Sequence, residues 1–169
     1  MAAGFADPAW VPTTVTAWAY SWGDDVEAKA LPVRHMFNVR YRARFLRPLL
    51  DAINAADMLT GHNILRFDLP VLNGEAAKLG LGPLPARLVS DTIRIGRARV
   101  KKGQDVMAHM FGVTDEKLPL NWAEWQAAYS EPTLETVLDR VKGDVVQHMA
   151  LRAAQRDRGW LRPPTMWRP

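Results

Sequence analysis

Gly61-His62-Asn63-Ile64-Leu65-Arg66-Phe67-Asp68-Leu69-Pro70-Val71-Leu72 is the stretch on which the fold turns. Asp57 to Gly61 reads as a short buried strand that runs into a Gly-His-Asn loop, and Phe67-Asp68 opens a helix spanning Leu69 to Leu79. Gly80 then stands at a natural stop, because a residue without Cβ takes the left-handed conformation that ends a helix.

Upstream, Val15-Thr-Ala-Trp-Ala-Tyr-Ser-Trp22 is rich in β-branched and aromatic residues and predicts a strand. Gly23-Asp24-Asp25 is a turn, and Val26 to Val33 alternates well enough to return as the second arm of a hairpin. Leu46, Leu49, Leu50 and Ile53 keep helical spacing, with Pro48 expected near the start of that helix. Downstream, Leu88-Val89 predicts a short strand that leads into Asp91-Thr92. Gln104 to Phe111 predicts a helix stopped at Gly112, and Trp122 to Tyr129 a further turn or two. Leu134, Leu138, Val141, Val145 and Met149 form a long apolar stripe on a last helix. Residues 1–14 and 162–169 read as irregular. There is no internal repeat and no linker, so 1–169 is expected to be a single domain. The order β-β-α-β-α-β-α-α is that of a mixed α/β protein.

Composition narrows the class. The chain has 169 residues, 48% of them hydrophobic and 24% charged, which suits one globular domain with a real core. It has no cysteine, which excludes disulfides and thiolate metal sites. No apolar run approaches the roughly 20 residues that cross a bilayer. The first residues have neither the basic region nor the apolar core of a signal peptide, so no membrane association and a cytoplasmic location are expected. Lys and Arg number 22 against 18 Asp and Glu, a formal charge of +4. Arg94, Arg97, Arg99, Lys101 and Lys102 cluster with no acid among them, and Arg152 to Arg168 is also basic. Such a distribution suits an anionic partner, above all nucleic acid.

Two further stretches complete a pattern with the opening one: Val89-Ser90-Asp91-Thr92-Ile93-Arg94, and Val141-Lys142-Gly143-Asp144-Val145-Val146-Gln147-His148 in the last helix. In this order and at these separations they resemble the second and third motifs of the DnaQ-like (DEDD) 3′–5′ exonucleases, of the ribonuclease-H-like class. The likeness is closest to the exonuclease-like proteins of bacterial viruses, and it covers residues 14 to 155. It implies a mixed sheet flanked by helices and hydrolysis of phosphodiesters at single-stranded DNA or RNA 3′ ends, in the host cytoplasm if the chain is viral. It also implies a pair of Mg²⁺ or Mn²⁺ ions about 4 Å apart, held by carboxylates. On this resemblance Asp68 and Asp144 are the metal ligands and lie near each other. The family's general base has no counterpart by position; Asp139 and His148 are the residues open to substitute for the missing groups, although His148 does not fit by simple transfer. His62, Asn63 and the basic residues from Arg94 to Lys102 contact nucleic acid. Gly143 fits the pattern, since a glycine in mid-helix costs about 1 kcal/mol relative to alanine and so suggests a close neighbour.

The sequence also departs from the family. An Asp-x-Glu pair is expected on a first, central strand, but Met1 to Thr14 contains only Asp7 as an acid. The base positions of the last helix hold Asp139 and Arg140. Three explanations follow: an upstream segment that supplies the pair, a nuclease fold kept for binding, or a site completed by a second subunit. The alternative function is thus a catalytically incomplete module that binds nucleic acid or a host or replication protein. Without a central strand, Val15–Trp22 is expected to close directly against Asp57–Gly61, or a second chain to fill the gap.

Each residue also has a plainer role open to it. Asp68 is placed to cap a helix. Asp144 stands four residues from both Arg140 and His148 and can pair with either. His62 and Asn63 can satisfy loop backbone, Asp91-Thr92 can cap a helix, and His109 can be structural. Trp122 and Trp125 read as core residues rather than a platform for bases.

Overall fold

The computed structural model describes residues 15–95, 103–114 and 117–169. Its elements run β1 (Ala17–Trp22), β2 (Asp25–Ala30), α1 (Val39–Ala55), β3 (Met58–Gly61), α2 (Asp68–Lys78), β4 (Arg87–Asp91), α3 (Gln104–Met110), α4 (Trp122–Ala128), α5 (Glu135–Asp157) and β5 (Thr165–Trp167). The chain is therefore α/β, with a two-stranded and a three-stranded sheet.

β1 and β2 form the expected antiparallel hairpin, Ala17 opposite Ala30 and Trp22 opposite Asp25. β2 alternates as a half-buried strand should, with Val26, Ala28 and Ala30 turned inward and Asp25, Glu27 and Lys29 outward. β3 pairs parallel with β4, and β4 pairs antiparallel with β5. Two expectations are corrected here. Among the described residues β1 pairs only with β2, so it does not close against β3. The tail is not wholly irregular either, because Thr165, Met166 and Trp167 add a strand on the edge that β4 would otherwise leave open.

Helix α1 begins earlier than its apolar spacing predicts. Asn38 caps it by accepting from the Tyr41 N–H at 3.0 Å, which leaves Pro48 inside the helix instead of near its start. The other end lacks a basic residue of its own. Arg87 of β4 fills that role, donating to the Ile53 and Asn54 carbonyls at 3.2 and 2.8 Å. α2 and α3 stop where Gly80 and Gly112 take positive φ, as expected.

The main core lies where α1 and α2 meet both sheets, around Trp18, Leu31, Leu46, Leu50, Leu69, Leu72 and Val89. Trp18 is fixed in it by donating its indole N–H to the Phe45 carbonyl at 3.1 Å. Arg42 of α1 and Glu75 of α2 form an ion pair within this region, and Glu75 is only 1% exposed. A second cluster joins Ile95, Met107, Phe111 and Leu151, and a third joins Ala128, Leu134 and Val137.

Helix α5 differs most from its sequence pattern. Its buried positions are Val137, Gln147, His148, Leu151 and Gln155, whereas Leu138, Val141, Val145 and Met149 of the apolar stripe are half-buried. Leu134 stands outside the helix with φ +56°. Glu131 supplies the cap that a leucine cannot, accepting from the Thr136 N–H and hydroxyl at 3.2 and 2.7 Å. The backbone of α5 packs against the β1–β2 hairpin, while its buried polar residues His148 and Gln155 reach Thr60 and Thr92 at the ends of β3 and β4.

Candidate functional site

The two parallel strands end together, with Gly61 opposite Asp91, and their last residues carry the polar cluster. A Cβ on Gly61 would lie 2.7 Å from the Cβ of Ile64, so the tight loop after β3 needs glycine. Asn63 takes φ +61°, a left-handed conformation that asparagine tolerates better than most residues. Its carbonyl accepts from the N–H groups of Arg66 and Phe67, and so turns the chain into α2.

Asp91 holds this loop. Its carboxylate accepts from the backbone N–H groups of Asn63 at 2.8 Å, Leu65 at 3.2 Å and Ile93 at 3.1 Å. Asp91 therefore caps no helix; it ties the end of β4 to the loop that precedes Asp68. Thr92 adds a backbone bond, its N–H donating to the Gly61 carbonyl at 3.0 Å.

The Thr92 hydroxyl is the centre of a histidine–threonine cluster. It lies 3.0 Å from His62 Nδ1 and 3.4 Å from His148 Nδ1. The other ring nitrogen of His148, Nε2, is 3.2 Å from the Thr60 hydroxyl. His148 is 7% exposed. Burial, with positive charge from His62 and Arg152 nearby, pushes its pKa down to about 4. That geometry describes a packed neutral imidazole with both nitrogens engaged by threonines. Two turns further along, Gln155 donates to the Thr92 carbonyl at 2.9 Å.

Asp68 is the first residue of α2, while Phe67 occupies the cap position without a side-chain hydrogen bond. The carboxylate thus sits in the first turn, where the helix dipole favours it. Asp68 has one face open to solvent, but the protein packed around the rest strips water from it and raises its pKa to about 6. The like charges of Asp91 and Asp144 push in the same direction, which puts both in the electrostatic neighbourhood of Asp68.

Asp144 is engaged by side-chain cations instead of backbone N–H groups. Lys117 Nζ lies 3.0 Å from its Oδ1 and 3.1 Å from Oδ1 of Asp105 on α3. Arg140, one turn earlier on α5, pairs with Oδ2. Gln104, at the start of α3, donates to the Asp144 carbonyl at 2.8 Å. The close neighbour that Gly143 suggests, expected at the sheet edge or on a substrate, is the 117 segment of the chain. A Cβ on Gly143 would stand 3.2 Å from both Cα and Cβ of Lys117. Beside this knot lies an open cleft of about 500 Å³, lined by Asp105, Lys117, Pro119, Leu120, Asn121, Glu124 and Arg140. Nothing in the sequence pattern singles out Lys117, Asp105 or Gln104, because their role depends on α3 and the 117–121 segment docking on α5.

The implied metal pair needs carboxylate oxygens that are free to converge. Here both oxygens of Asp144 face side-chain cations, and Asp91 is committed to backbone N–H groups. Among the described residues no three His, Cys, Asp or Glu side chains gather as a metal-binding group. Asp144 and Asp91 thus hold their oxygens on partners within the chain instead of presenting them side by side to a metal pair.

The remaining predicted contact residues separate. Arg94 is exposed and donates to the Thr165 hydroxyl at 2.5 Å, tying the exit of β4 to β5. Arg97, Arg99, Lys101 and Lys102 lie outside the described residues. His109 is exposed in the last turn of α3, not packed among apolar neighbours. Trp125 stacks on Tyr129 and packs against the third core cluster, whereas Trp122 is 77% exposed and is no core residue. No helix among the described residues is long and apolar enough to cross a membrane.

The fold and site together define an α/β protein in which the ends of two parallel strands, a helix start and a long C-terminal helix meet around carboxylates and histidines. No family model, no curated protein and no solved structure matches the chain.

Proposed function

We propose that the chain is a nuclease-type domain of ribonuclease-H-like architecture, related to the DnaQ-like exonucleases, that binds single-stranded nucleic acid without cutting it. One observation carries the reading: Asp144, the carboxylate that the resemblance assigns to a metal, is closed on both oxygens by Lys117 and Arg140. An acid neutralised in this way is a structural ion pair, not an open ligand. Binding draws its support from the acid-free basic run Arg94 to Lys102 and from the overall charge of +4. Trp122 adds an exposed indole on the helix that forms one wall of the cleft, a surface on which bases stack.

The test has two arms. Fluorescence anisotropy with a labelled single strand, at several salt concentrations, should show affinity falling with a log–log slope of about −0.7 per phosphate neutralised. Replacing Arg97 and Arg99 with alanine should flatten that slope by roughly one to two phosphates, whatever the base sequence. A 3′-labelled strand incubated with the protein and Mn²⁺ should stay intact. Digestion that disappears in Asp144→Asn would return the domain to the active exonucleases. Absence of binding at low salt would leave a protein partner as the remaining role.

A further inference from the structure

Lys117 touches two carboxylates from different helices. Its ammonium bridges Asp105 of α3 and Asp144 of α5 at 3.1 and 3.0 Å, and its side chain is only 12% exposed. A buried amine in this position costs solvation that two carboxylate contacts offset. Gly143 shows that the position is built in. The backbone of residue 117 lies so close to α5 that any larger residue at 143 would press on the Lys117 Cα. Gln104 secures the same junction from α3, donating to the Asp144 carbonyl at 2.8 Å and to Gln147 Oε1 at 3.1 Å.

We infer that Lys117 is a resident counter-cation, an ammonium that takes the place of a divalent ion at Asp144 and so holds α3 against α5. Without the lysine the two acids would repel each other, with only Arg140 on the far oxygen of Asp144 and the water at their exposed edges to offset the charge. A hard divalent cation is the natural replacement, since it accepts carboxylate oxygens and keeps the rest of its shell as water. This inference concerns the Asp105–Lys117–Asp144 junction alone and does not depend on whether the domain binds nucleic acid.

Thermal unfolding of the full chain, with and without millimolar Mn²⁺, tests it. The parent should unfold at the same temperature in both. Lys117→Met, which keeps the aliphatic stem and removes the charge, should lower Tm by roughly 2–4 °C, and Mn²⁺ should return most of that loss. Lys117→Arg should behave like the parent. Adding Asp144→Asn to Lys117→Met should abolish the response to Mn²⁺. Paramagnetic broadening by Mn²⁺ reads the same site directly, and should reach the Asp144 and Asp105 amides only in Lys117→Met. The inference is overturned if the parent itself broadens at Asp144, or if folded Lys117→Met ignores the ion. Should Lys117→Met fail to fold in buffer, its recovery in Mn²⁺ would support the assignment, and failure to recover would overturn it.

Discussion

His148 Nε2 lies 3.2 Å from the Thr60 hydroxyl, which joins the middle of α5 to β3 across the polar end of the sheet. An imidazole there must be neutral, because burial and the nearby His62 and Arg152 disfavour its proton. The folded chain therefore refuses a proton that the unfolded chain accepts below its ordinary value of 6.5. The stability that His148 contributes is complete above pH 6.5 and is lost as pH falls towards 4, a total of roughly 3 kcal/mol. Asp68 slopes the other way over the same range, since its raised pKa makes the folded chain hold a proton longer, and so it offsets part of that loss. Denaturant titrations between pH 4 and 7 should show the loss in the parent and a flatter profile in His148→Gln. An equal slope in both would show that the histidine is not the source.

The Arg42–Glu75 pair should behave as a buried ion pair. Arg42→Ala strands a carboxylate that is 1% exposed and should cost roughly 3–5 kcal/mol in chemical denaturation. Replacing both residues with leucine should recover much of that loss, because it removes the stranded charge as well as its partner. A double variant as unstable as the single one would mean that the packing, not the charge, was lost.

Asp91 should prove structural through the atoms it engages. Its Oδ1 accepts from Asn63 and Ile93, and its Oδ2 from Leu65. Asp91→Ala leaves all three N–H groups without their acceptor and should cost roughly 2–4 kcal/mol. Asp91→Asn keeps Oδ1 but turns an NH₂ group towards Leu65, so it should lie between the parent and alanine. Amide exchange at Asn63, Leu65 and Ile93 would resolve the order, and full protection in Asp91→Ala would contradict the assignment.

Gly143→Ala sets two effects against each other. Alanine in mid-helix is favoured by about 1 kcal/mol, yet its methyl group would stand 3.2 Å from the Lys117 Cα. That atom belongs to backbone and cannot swing aside as a side-chain tip can. The expected result is no gain in Tm, with amide shifts that spread to Leu118 and Asp105. A clear stabilisation confined to α5 would show that the close approach has no weight.

Local chemistry was legible in the sequence. The hairpin (its second arm, expected to run to Val33, ends at Ala30), the strand–loop–helix run from Asp57 to Leu79, and the stops at Gly80 and Gly112 depend on neighbours within a few residues. Backbone preference and side-chain period therefore reveal them. The start of α1 was missed because its cap, Asn38, lies before the apolar spacing begins. β5 was missed because three residues between prolines carry no period and become a strand only when β4 offers an edge. The sequence also drew attention to Asp68, Asp144 and Gly143, but residue types alone could not say what each would meet. Tertiary structure decided that. The apolar stripe of α5 is not its buried face, because α5 packs on the β1–β2 hairpin and turns His148 and Gln155 to Thr60 and Thr92. Asp144 faces Lys117 because α3 and the 117–121 segment dock on α5 beside Gly143, and ion pairs between distant segments leave no trace in the order of residues along a chain.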